Sequence, residues 1–154
     1  MEIKDTKDQY QLVKLSPEEI SEKWEDGLMD AIEASLPPLA NYESPERMNN
    51  ILRALCGGGL ECWTLWLGDD LQIVGVFELI IDHATGNKSL LIYALYSYSE
   101  VSYEFWGILL KSVRKTAKEK GCSRIVAYSN VDRVVDIINA LGGNSEFRFL
   151  SLEV

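Results

Sequence analysis

The chain has 154 residues, 47% of them apolar and 25% charged, which suits one ordered domain burying about 70% of the surface its unfolded form would expose. A formal charge of −9 repels nucleic-acid phosphates, and no apolar run approaches the roughly 20 residues of a membrane-spanning helix, so neither direct nucleic-acid readout nor a membrane span is expected. Cys56, Cys62 and Cys122 lack metal-ligand spacing and His83 is the only histidine, which together predict a reduced, unexported, cytoplasmic protein without a metal site.

In chain order, YQLVKL at 10–15 alternates loosely and reads as a first strand. Ser16-Pro17-Glu18-Glu19 then supplies a cap, a proline for the first helical position and a capping box. Ile20, Trp24, Leu28, Ala31 and Ile32 recur at helical spacing until Leu36-Pro37-Pro38, predicting one helix over that stretch. Ser44-Pro45 opens a second helix with Met48, Ile51, Leu52 and Leu55 inward. Gly57-Gly58-Gly59 ends it and, with no Lys-Ser/Thr following, reads as a terminator and not as a phosphate cradle.

From Glu61 to Tyr98 the period changes to two, in CWTLWL, IVGVFELII and LLIYALYSY. Gly68-Asp69-Asp70 and Ala84-Thr85-Gly86-Asn87 are tight connections, so these three strands form an antiparallel meander. A helix follows from Ser102 to Lys120, with Phe105, Leu109, Val113 and Ala117 stepping by four and Trp106 and Leu110 alongside, closed by Gly121. RIVAYS at 124–129 is reached through that helix and is therefore the parallel partner of LLIYALY. Asn130 caps a last helix carrying Val131, Val134, Val135, Ile138 and Leu141, Gly142-Gly143 ends it, and FRFLSLEV alternates as a sixth strand. The order β-α-α-β-β-β-α-β-α-β, without an internal repeat or linker, predicts a single mixed-sheet α/β domain over residues 1–154. The one basic stretch, KSVRKTAKEK at 111–120, reads as solvated cations complementing a helix C-terminus.

That order resembles the GNAT superfamily of N-acetyltransferases across nearly the whole chain. WLGDDLQIVGVFELI at 66–80 is similar to the family's second and third strands with their acidic turn, LLKSVRKTAKEKGCSRIVAYSN at 109–130 to its central helix and fifth strand, and NALGG at 139–143 to the segment after its last helix. The resemblance implies a pantetheine arm lying between splayed fourth and fifth strands, and a pyrophosphate on the N-terminus of the central helix. The family's loop there reads Arg or Gln, any, any, Gly, any, Gly or Ala, the glycines letting backbone N–H groups approach phosphate.

Anchored on Leu109-Leu110, the basic position falls on Val101, the first glycine on Glu104 and the second on Trp106. Shifting the alignment brings in Gly107 without restoring the other two. The family's tyrosine on the last helix falls on Ile137 or Ile138. If the chain is active, the resemblance points to Glu78 and Asp82 as bases on one face of the third strand and to Tyr128 as acid, with Tyr96 or Tyr98 as substitutes; each is also explained as a solvated or packing side chain. Small acidic family members with eroded cofactor loops occur among bacteriophage proteins, including virion-associated ones, and this chain is similar to those. The expectation is a non-catalytic binding or structural subunit without acetyl-CoA, in a host cytoplasm or virion, meeting a protein partner or a second copy through Tyr103, Phe105 and Trp106. The alternative is an active acyl-CoA-dependent N-acetyltransferase with a remodelled loop.

Overall fold

The computed structural model describes residues 10–37, 45–100, 102–129, 132–147, 150–152 and 154. Pro38, Ser44, Val101, Asn130 and Val131, together with Arg148, Phe149 and Glu153 of the expected last strand, lie outside the described residues. The elements are β1 (Tyr10–Lys14), α1 (Pro17–Lys23), α2 (Met29–Ala34), α3 (Arg47–Gly57), β2 (Glu61–Leu67), β3 (Asp70–Ile81), β4 (Lys88–Ser97), α4 (Tyr103–Glu119), β5 (Cys122–Ala127) and α5 (Asp132–Ala140). The strands form one sheet in the order β1-β2-β3-β4-β5, antiparallel except for the parallel β4/β5 pair. None of the described helices is long and apolar enough to cross a membrane.

Two apolar layers flank the sheet because successive strand side chains point to opposite faces. On one face Cys62, Val74, Val76 and Ala94 pack with Ile20, Trp24, Leu28, Ile32, Ile51 and Leu55 from α1 to α3. On the other, Leu65, Ile73, Phe77 and Leu90 pack with Phe105, Leu109, Val113 and Ala117, the four-residue stripe of α4. Burying each large apolar side chain contributes about 1.5–3 kcal/mol, against about 1 kcal/mol for a helix cap, so packing on the sheet fixes the orientation of α4. The buried polar Thr64 is satisfied twice: its hydroxyl donates to the Val13 carbonyl at 3.1 Å and accepts from Trp66 Nε1 at 2.8 Å.

Two expectations are corrected. The first helix is not continuous: the full capping box at Ser16 and Glu19 forms, but Trp24–Leu28 makes a wide, π-type turn in which Asp26 and Gly27 leave helical geometry, Gly27 at φ +115°. That break rotates the chain so that Trp24 and Leu28 are both buried on either side of it. Secondly, the sixth strand is absent among the described residues of FRFLSLEV, whose Phe147, Leu150, Leu152 and Val154 are exposed. A strand needs a ladder partner, and the described part of this segment is not paired with β5.

Candidate functional site

The end of the β4/β5 pairing lies where the family resemblance implies a cofactor arm. The two strands pair from Lys88/Cys122 to Ile92/Ala127, where β5 ends, while β4 continues to Ser97 beside β3. A β-bulge lies beside the end of that pairing: Phe77 faces Ile92 and Val76 faces Ala94, leaving Tyr93 without an opposite residue. An extra residue in one strand bends it and increases its twist, so β4 bends next to the last residue it pairs with on β5.

Glu78 and Tyr93 are brought together on the α1–α3 side of this bend. Period two places Glu78 on the face of Val74 and Val76, and Tyr93 packs against the same apolar layer. Burial, and then the Glu78 carboxylate, hold the Tyr93 phenol above its ordinary pKa. Farther along, the rings of Tyr96 and Tyr98 meet edge to face with centroids 5.0 Å apart, and the Tyr98 N–H donates to the Gln72 carbonyl at 3.1 Å. The Tyr98 phenol is also raised, by burial first and then by Tyr96 and Cys62. Tyr128 follows the last residue of β5 instead of lying on that strand, just past the end of the β4/β5 pairing, and is 42% exposed.

Asp82 does not join this group. It lies just past the end of β3, in the hairpin turn, five residues and about 16 Å along the strand from the bend. There its carboxylate accepts from the Thr85 N–H at 3.1 Å and from the Thr85 hydroxyl, while its backbone bonds to Asn87 and Gly86 close the turn. Those Thr85 contacts hold its pKa below the usual carboxylate range. An acid this well supplied with donors organises a turn; His83 stands exposed in the same turn. Cys62 is fully buried with its thiol pushed up to about 12 by desolvation, leaving Cys56 as the exposed cysteine and Cys122 half-buried.

The start of α4 is where the family resemblance implies a pyrophosphate would sit. Ser102 is the N-cap, its hydroxyl accepting from the Phe105 N–H at 3.2 Å, so one of the helix's free donors is already used. Glu104 is exposed in the first turn and Tyr103 is 71% exposed beside it. Phe105 is buried, its ring 5.1 Å from that of Tyr10, and Trp106 is half-buried against the α4-side layer. Of the three expected contact residues, then, Phe105 belongs to the core and Tyr103 is the one that projects. Gly107 lies inside α4, exposed, and an added Cβ there would touch nothing within 4 Å, so its lack of a side chain makes room for no close approach.

These residues do not fit a pyrophosphate. A phosphate 4 Å from the Glu104 carboxylate would be opposed by about 1 kcal/mol in water and about 4 kcal/mol at the effective dielectric of a protein surface. No glycine in this turn opens the backbone, and Trp106 occupies volume beside it. The sequence reading missed the Ser102 cap, a serine directly before the apolar stripe of α4, and the Tyr93 bulge. LLIYALY is apolar on both faces, so a slip in its alternation leaves no trace in composition.

A five-stranded mixed sheet with one parallel pair, helices on both faces and a bulged β4 is the GNAT fold. Solved structures agree. The chain is similar to the ribosomal-protein-alanine N-acetyltransferase of Brucella melitensis biovar Abortus 2308, at 10% identity over 94% of this chain and 99% of that one, with a TM-score of 0.67. It is similar to an aminoglycoside acetyltransferase from an uncultured soil metagenomic sample, solved with sisomicin, at 13% identity over 97% and 98% of the two chains, TM-score 0.65. A predicted acetyltransferase of Clostridium acetobutylicum, solved with acetyl-CoA, gives 14% identity over 94% and 96%, TM-score 0.60. No protein-family profile and no curated protein matches the sequence.

Proposed function

We propose that this chain uses the GNAT fold as a non-catalytic binding or assembly subunit and does not bind acetyl-CoA. The observation that carries the reading is the first turn of α4, where a cap already occupies one N–H donor and Glu104 sets a carboxylate at the point where the fold would receive a pyrophosphate. The aliphatic Ile137 on α5, buried where the family resemblance implies a proton-donating tyrosine, supports it independently. The resemblance to bacteriophage proteins with eroded cofactor loops suggests the setting: a virion-associated protein made in a host cytoplasm.

A second reading, an acyl-CoA-dependent N-acetyltransferase with a remodelled loop, is favoured by one observation: Glu78 lies beside the bulged Tyr93 where β4 and β5 part, so a base and a bent strand end share one place. In that reading Glu78 would take the proton of an amine, and Tyr128 or Tyr98 would supply one.

Calorimetric titration with acetyl-CoA separates the two. The proposed reading expects no heat of binding up to millimolar ligand; micromolar affinity would overturn it and leave the acyltransferase.

A further inference from the structure

The two helical layers carry opposite charge on their outer sides. On α4, Lys111, Arg114, Lys115 and Lys118 are all exposed and follow one another at steps of three and four, on the side opposite the buried Leu109, Val113 and Ala117. Glu104 and Glu119 stand near the two ends of the helix, which leaves the stripe itself uniform in sign. Across the sheet, Glu18 and Glu22 occupy the side of α1 opposite Ile20 and Trp24, and the exposed Glu25, Asp26 and Asp30 continue the acidic surface over the wide turn into α2. Among the described residues of α1 to α3, Lys23 and Arg53 are the exposed cations, while Arg47 is held by Glu33 at 3.0 Å. Helix dipoles account for only part of this pattern. Glu18 in the first turn of α1 and Lys118 in the last turn of α4 are favoured by their helix ends, but the effect falls off within one turn. Lys111, Arg114 and Lys115 lie before the last turn of α4, and Glu22 lies in the last turn of α1, where a carboxylate is disfavoured. Glu18 with Glu22, Lys111 with Lys115, and Arg114 with Lys118 are moreover like-charge pairs four residues apart, each a local cost to its own helix.

We infer that the chain assembles with further copies of itself, the cation stripe of α4 on one copy seated on the acidic α1–α2 surface of the next. The spacings agree: residues four apart on a helix lie about 6 Å apart along its axis, so a pair of cations on α4 meets Glu18 and Glu22 when the two helices lie side by side. Charge relieves charge there, and the local cost that each like-charge pair imposes on its helix is offset across the contact. The two surfaces lie on opposite faces of one sheet, so each copy keeps one of them free after the first contact and the assembly continues head to tail. A two-fold dimer through the same surfaces would set cation on cation or acid on acid. The net charge of −9 does not forbid the contact, because at physiological salt exposed charges act over only about 8 Å and the facing pairs outweigh the distant total. The inference goes beyond the choice between binding subunit and acyltransferase: Lys111 lies eight residues, about 12 Å, along α4 from Tyr103, so stripe and phosphate site are tested separately.

The test is sedimentation velocity on the intact chain over a range of concentrations. In about 0.1 M salt, where charges act over ~10 Å, the mean mass should rise past that of a dimer as concentration increases; in about 1 M salt, where they act over ~3 Å, it should return to the 17.4 kDa of one chain. K111E/K115E and E22K/E25K, all at exposed positions, should each lower the association constant about tenfold or more while keeping the parent's circular dichroism. An equimolar mixture of the two variants should associate where neither does alone, because the acidic α1 of the first still matches the basic α4 of the second; damage to the fold would not be rescued by mixing. A parent chain that stays monomeric at low salt, a mass that stops at the dimer, a mixture that stays dissociated, or unchanged assembly of K111E/K115E would each overturn the inference. A monomeric parent that binds a single-stranded oligonucleotide through Lys111 and Lys115 would also overturn it, assigning the stripe to nucleic acid. Assembly together with acetyl-CoA binding would defeat the non-catalytic reading alone, whereas a monomer silent towards acetyl-CoA would defeat this inference alone.

Discussion

Glu61, the first residue of β2, receives three donors: Lys120 Nζ at 2.7 Å, Trp63 Nε1 at 3.0 Å and Lys14 Nζ at 3.3 Å. Its partners come from the end of β1, from its own strand and from the C-cap of α4, so one carboxylate ties the sheet to the helix at the end away from the ligand site. Burial alone would raise its pKa, but Lys120, Trp63 and Lys14 together outweigh that and hold it below the usual carboxylate range. A depressed carboxylate stabilises the fold above its unfolded pKa, about 4.3, and that contribution disappears as pH falls through the lower folded value. Glu61→Gln should therefore cost about 1 kcal/mol at pH 7, because the pairs are only half-buried. The difference from the parent protein should shrink below about pH 4. Urea melts of both proteins at pH 7 and pH 3 check this; an unchanged difference at the two values would show that the loss is one of packing and not of charge.

The break between α1 and α2 is the element-scale counterpart. Gly27 stands at φ +115°, ψ −14°, a backbone region that residues with a Cβ rarely adopt, and an added Cβ meets nothing within 4 Å. Conformation and not space requires glycine there. Gly27→Ala should cost about 1–2 kcal/mol through backbone strain alone, read as a lower melting temperature. Gly107→Ala, in helical geometry inside α4 and equally unobstructed, should be neutral or stabilising, so the pair distinguishes strain from crowding. Sequence alone could not show this break, since Ile20, Trp24, Leu28, Ala31 and Ile32 keep helical spacing across it, and a π-type turn preserves the apolar face while changing the hydrogen bonding. β2 to β4 were legible for the opposite reason: tight turns at Gly68 and Gly86 bracket runs rich in β-branched and aromatic residues, which pairing then confirmed. Asp82 was misread because period two continues on paper past Ile81, whereas the ladder stops there and the carboxylate turns to Thr85. The candidate site was legible at α4, where a charge and a ring stand in a short turn, and illegible at Tyr93, where only pairing register reveals the bulge.

At the scale of the whole molecule, the GNAT fold and the start of α4 pull in different directions: the sheet carries the fold's parallel β4/β5 pair, while α4 begins with a cap, a carboxylate and a large ring. If the mismatch is confined to that turn, rebuilding the turn should recover the ligand. The substitutions are Val101→Arg, Glu104→Gly and Trp106→Ala, which introduce a cation, remove the carboxylate and clear the ring. Glycine in the first turn of α4 should cost up to about 1 kcal/mol, and losing the half-buried Trp106 about 2–3 kcal/mol more, so the triple variant should melt lower yet remain folded on the stripe of Phe105, Leu109, Val113 and Ala117. Acetyl-CoA should then bind at sub-millimolar concentration, because removing a like charge and adding an opposite one near a pyrophosphate each change the interaction by on the order of 1–4 kcal/mol, and 1.4 kcal/mol is tenfold in affinity. Calorimetry on the variant reports the outcome. On the proposed reading, recovered binding would trace the exclusion of acetyl-CoA to that one turn, and continued silence from a folded variant would trace it to other parts of the fold as well.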